Sequence, residues 1–207
     1  MIWAPHWASS QEAESPLVEQ IAEQIRGICG DSLSLAPAQV GELARAVAWF
    51  VEKDRGGYFT DNRHLAALAS RALASVGERV QARRLLVLGT GMVRSAEWIV
   101  SGEDSMWVMD LKAVTLLDRP GLELVLFRSL DLVLGTVAEV WDRTSGRGVL
   151  GLLHVSQTAS ALIGDTSERA VLKLGLEIKG RCAERLSSIG ASRGWTHVPV
   201  VMDLDVR

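Results

Sequence analysis

Through the first 77 residues apolar positions recur every three to four places, the period of a helix with one buried face. Ser15-Pro16 supplies a cap followed by a proline in the first turn. Leu17, Ile21, Ile25 and Ile28 then share a face, and Gly30 marks a stop. Pro37 opens a second helix with Val40, Leu43, Ala44, Val47 and Val51 on one stripe, broken by the "DRGG" of 54–57. Thr60 or Asp61 caps a third. Its stripe is Leu65, Leu68, Ala69, Ala72, Leu73 and Val76, with Gly77 as the terminator. On that spacing Ser70 and Arg71 are expected to face solvent.

Beyond Gly77 the pattern changes. "ERVQARRLLVLGTG" begins with helical spacing and ends in four consecutive apolar residues, Leu85 to Leu88; periodicity does not separate a helix from a buried strand there. "AEWIV" and "MWVMDLKAV" read as strands around the hairpin loop "SGED". A long helix follows Asp118-Arg119-Pro120-Gly121, then a strand "GVLGLLHV" and a short helix "SQTASALIG". Thr166 or Ser167 caps a second long helix, and "HVPVVMDLDV" closes as a strand. Alternation of this kind predicts an α/β or α+β fold. A mixed sheet packed with helices makes up residues 78–207, preceded by a three-helix lobe over 1–77, with any boundary between Gly77 and Gly91.

Composition narrows the function classes. A chain of 207 residues is long enough for a sizeable core. A formal net charge of -3 gives no global basic field for nucleic acid. Cys29 and Cys182 fall on apolar helical positions and are expected as buried thiols, too few for a cysteine-based metal site. The start of the chain lacks the basic n-region of a secretion signal, and the apolar runs are too short for a membrane span. These features predict a soluble cytoplasmic protein.

Three stretches carry candidate chemistry. The first is Asp110-x-Lys112 inside an apolar run, whose alternation would put Met106, Val108, Asp110, Lys112 and Val114 on one strand face and Trp107, Met109, Leu111 and Ala113 on the other. The stretch resembles the (D/E)xK half of the PD-(D/E)xK nucleases. That resemblance implies Asp110 as a carboxylate for Mg²⁺ and Lys112 as the group that steadies the attacking water or the transition-state charge. Such enzymes need an earlier acid, and Glu103 and Asp104 in the hairpin loop are the nearby ones. The plainer reading is an exposed sheet face or a cross-strand ion pair.

The second is Gly89-x-Gly91 after "LLVL". A buried strand running into such a turn looks like the phosphate loop of a dinucleotide-binding fold, with Asp110 placed where a ribose-binding acid would stand. The third position of that fingerprint is Arg94, which is bulky where helix and strand must touch. The third stretch is His154 beside Ser156 at a strand end, a general base near a hydroxyl, although no acid is placed by spacing to orient the ring. His64 and His197 stand apart, and no two histidines have metal-ligand spacing.

Seven tryptophans accompany a single tyrosine. Trp107 and Trp141 fall on apolar faces and read as core. Trp3 and Trp7 precede the first helix and must bury on the body or on a second copy. No complete catalytic constellation can be assembled from these stretches. The expectation is therefore a binding, regulatory or assembly module with a protein partner or self-association. The alternatives are a Mg²⁺-dependent phosphodiesterase at Asp110 and Lys112 and a nucleotide or phosphate binder at Gly89 and Gly91. No cofactor is specified.

Overall fold

The computed structural model describes residues 15–55, 61–96, 105–115, 123–141, 145–164 and 167–205. The chain divides into two compact units, Met1–Leu85 and Leu86–Arg207. The proposed tryptophan tail, Glu103, Asp104 and the "SGED" loop lie outside the described residues.

The first unit is helical. α1 (Pro16–Cys29) starts with its proline in the first turn and ends at Gly30, whose φ of 54° suits a residue without a Cβ. α2 spans Pro37–Arg55 and α3 spans Asn62–Ser75. Asp61 caps α3 by accepting a hydrogen bond from the Arg63 N–H. Ile21, Ile25, Val40, Ala44, Val47, Leu65 and Leu73 form the core of the unit. A fourth, short helix, α4 (Arg79–Arg84), packs on α3 and runs into a wide helical turn over Leu85–Gly89. The ambiguous run at 85–88 is thus helical.

α4 also explains where the expected stripe on α3 is off. Ser70 is buried, and its hydroxyl donates to the Ala82 carbonyl at 2.7 Å. Val76 is 55% exposed, and Leu68 is only half-buried. A helix packed on the flank of α3 pulls the buried face toward Ala66 and Ser70, away from Leu68 and Val76.

The second unit is a four-stranded mixed sheet with helices, in the order β1-β2-β3-β4. β1 (Val93–Ser95) pairs antiparallel with β2 (Ser105–Asp110), Val93 opposite Met109. β2 pairs parallel with β3 (Gly148–Leu153), and β3 parallel with β4 (Val200–Asp203). Between β2 and β3 run α5 (Leu111–Thr115) and α6 (Glu123–Glu139). Between β3 and β4 run α7 (Val155–Ile163) and α8 (Glu168–Arg193).

One face of the sheet, with Trp107, Met109, Leu150, Leu152 and Val201, belongs to the core that α6 and α8 complete with Leu130, Leu134, Ile178 and Leu186. Alternation puts Met106, Val108 and Asp110 on the opposite face. Two glycines in β3 allow close approaches: a Cβ at Gly148 would meet the Ser105 carbonyl, and one at Gly151 would meet the Leu204 side chain. Trp141 is buried as expected and sits 6.0 Å from Trp195, ring to ring, with the planes tilted by 43°.

Candidate functional site

β2, β3 and β4 are parallel, so their carboxyl ends lie on one edge of the sheet, the edge at which open α/β sheets place their ligands. Asp110 is the last residue of β2, His154 follows β3, and Asp205 stands two residues past the end of β4.

Asp110 does local work first. Its Oδ1 accepts from the backbone N–H of Lys112 at 3.0 Å and of Ala113 at 3.3 Å, which caps α5. The same oxygen meets His154 Nδ1 at 2.8 Å. A carboxylate only accepts, so Nδ1 carries a proton, and Nε2 presents a lone pair whenever the ring is neutral. Nε2 has no partner among the described residues. The His154 side chain is 36% exposed and that of Asp110 27%.

Burial pushes the Asp110 carboxyl up. The hydrogen bond and charge of His154 and the backbone N–H groups of Ala113 and Lys112 together outweigh burial, and the carboxyl ends below its ordinary range.

The backbone of His154 is held as firmly as its ring. With φ at 63° it is the non-glycine residue in the left-handed region among the described residues. Asp205 secures that conformation: its Oδ1 accepts the His154 N–H at 2.6 Å and its Oδ2 the Ser156 N–H at 3.0 Å, covering the first turn of α7. Asp203 in turn accepts the Asp205 N–H at 2.9 Å. Strand ends 44 and 51 residues apart in sequence thus converge on one residue, Asp110 on the ring of His154 and Asp205 on its backbone. An imidazole oriented by a carboxylate can accept a hydrogen bond or a proton at its outer nitrogen.

The other sequence candidates fall differently. The strand expected to run through Val114 stops at Asp110, because the carboxylate draws the next N–H groups into α5. Lys112 therefore leaves the shared strand face and sits exposed on a helix. Leu111 and Val114 are both buried through α5. Gly89 ends a helical segment and Gly91 follows it toward β1, the reverse of the strand–turn–helix order of a phosphate loop. Gly91 serves its φ of 72° at the turn.

His197 is paired with Thr196 at 2.9 Å, and Ser156 contributes its backbone N–H to the site. Asp205 carries no motif in the sequence, where only its position just after the last strand marks it. Among the described residues no group of three or more His, Cys, Asp or Glu is placed to hold a metal ion. Nor is any helix among them long and apolar enough to cross a membrane. Compared with known family models, curated proteins and solved structures, the chain matches none.

Proposed function

We propose that this chain is a cytoplasmic binding or regulatory module whose α/β unit takes a small ligand at the strand ends, around His154. The observation that carries this reading is the Asp110-held ring with a free Nε2, on a backbone kept in a strained conformation by Asp205. Backbone of that kind persists only where the surroundings over-determine it, and such places cluster at ligand sites. Asp110, Asp203 and Asp205 outnumber the exposed Lys112 at this edge, so the favoured ligand is a neutral or cationic hydrogen-bond donor rather than a phosphate.

The phosphodiesterase alternative centred on Asp110 and Lys112 has less support. It needs both side chains on one strand face, whereas Lys112 belongs to α5. The nucleotide alternative at Gly89 and Gly91 lacks the helix that would follow the turn.

The test is a thermal-shift screen of the full chain against primary amines, polyols, amides and inorganic phosphate, repeated with His154→Ala. Stabilisation by an amine, polyol or amide that disappears in the variant supports the reading. Stabilisation only by phosphate, or hits indifferent to His154, would overturn it.

A further inference from the structure

The outer face of α2 carries a feature independent of the strand ends. The buried face of this helix is Val40, Leu43, Ala44, Val47, Ala48 and Val51. Glu42, Ala46, Trp49 and Lys53 form a stripe on the opposite side at spacings of four, three and four, the helical repeat. Trp49 is 60% exposed there, and the neighbouring Phe50 48%. Tryptophan is enriched at protein interfaces, where it buries a large apolar area on contact. Lys53 lies 4.5 Å from the Trp49 ring centre, which shields one face of the ring only. Beside Ala46 a largely apolar groove of about 500 Å³ opens between α2 and α3, lined by Leu35, Leu43, Ala46, Ala72 and Val76.

The stripe is self-complementary. Laid antiparallel against a copy of itself, with the two-fold axis midway between Val47 and Ala48, it sets Trp49 opposite Ala46 and Lys53 opposite Glu42, each twice. A large side chain then meets a small one beside an open groove, and each base meets an acid. Glu42, with its side chain 74% exposed and bound within its own helix only to Arg45 at 2.6 Å, retains capacity for a second cation. We propose that this chain forms a two-fold dimer through its α2 helices, with Trp49 of each copy seated at Ala46 of the other and Lys53 paired with Glu42 across the interface.

Sedimentation equilibrium on the full chain tests this. Wild type is expected to dimerise and Trp49→Asp to remain monomeric. Glu42→Lys and Lys53→Glu each create two like-charge contacts per dimer, and each is expected to weaken association about tenfold. All three positions are exposed, so circular dichroism should report unchanged helix content. The discriminating samples are the double variant Glu42→Lys/Lys53→Glu and an equimolar mixture of the two single variants. Both restore opposite charges across this interface alone, and both should recover wild-type affinity. A wild type that stays monomeric, or a charge swap that recovers nothing, would overturn the proposal.

Discussion

Asp110 Oδ1 and His154 Nδ1 meet at 2.8 Å across the tips of β2 and β3. The contact joins a helix cap to a ring with a free nitrogen, so one carboxylate serves both folding and the proposed site. Asp110→Ala removes the cap of α5 and should cost about 0.5–2 kcal/mol in chemical denaturation. His154→Gln spares the cap and should cost less.

The lowered Asp110 carboxyl makes a pH prediction. A group whose folded pKa is depressed stabilises the fold above its unfolded value and loses that contribution as pH falls through the folded one. The contribution should therefore be complete above about pH 4, the ordinary carboxylate range, and drain away below it. Urea midpoints measured downward from pH 6 should fall less steeply for Asp110→Asn than for wild type. Equal slopes would show that Asp110 is not the linked group.

His154→Gly separates backbone from ring. Glycine takes a φ of 63° without strain, so stability should stay within about 1 kcal/mol of wild type while ligand binding is lost. Asp205→Ala is expected to behave oppositely in one respect. It leaves the ring in place but strips the acceptor from two backbone N–H groups, at a cost of about 1–3 kcal/mol.

Gly151 offers a packing test. A methyl group there collides with Leu204, the far end of a flexible side chain, so Gly151→Ala should destabilise by about 1–3 kcal/mol and Leu204→Ala should partly rescue it. Gly148→Ala meets a carbonyl of β2 instead, at a φ of 147°, and no second-site change of side chain should rescue it.

Both thiols should be slow to react in the native state. Burial pushes Cys29 up to about 11 and Cys182 up to about 12, which leaves little thiolate at neutral pH. Labelling by a maleimide that proceeds at the rate of a free cysteine, without denaturant, would contradict this.

The helices and the parallel strands were legible because their signals are local. Pro16, Gly30, Pro37 and Asp61 stand where helices begin and end, and "GVLGLL" is a buried strand by composition alone. The flank taken by α4 was not legible, since nothing inside α3 announces that Ser70 will find a carbonyl twelve residues away. For Asp110 the spacing points to Lys112, two residues on, whereas the ring it holds follows the next strand. A cap and a strand continuation share the pattern apolar–Asp–x–polar, and only the pairing of β2 with β3 decides between them.

The wiring of the sheet also has a consequence for the order of folding. The contacts of α1, α2 and α3 can form from a single stretch of chain, and helix-on-helix contacts of low sequence separation assemble quickly. The strand-end cluster waits on two loop closures of 44 and 51 residues, each of which must give up chain entropy before its hydrogen bonds form. On a ribosome, Asp205 is the last of the three residues to emerge. Until it arrives, His154 has no Asp205 carboxylate to keep it left-handed, and until β4 emerges just ahead of it β3 presents a bare hydrogen-bonding edge. A nascent chain stalled before Val200 should therefore hold a folded helical unit and an aggregation-prone sheet, a state that a chaperone binding open strand edges would recognise.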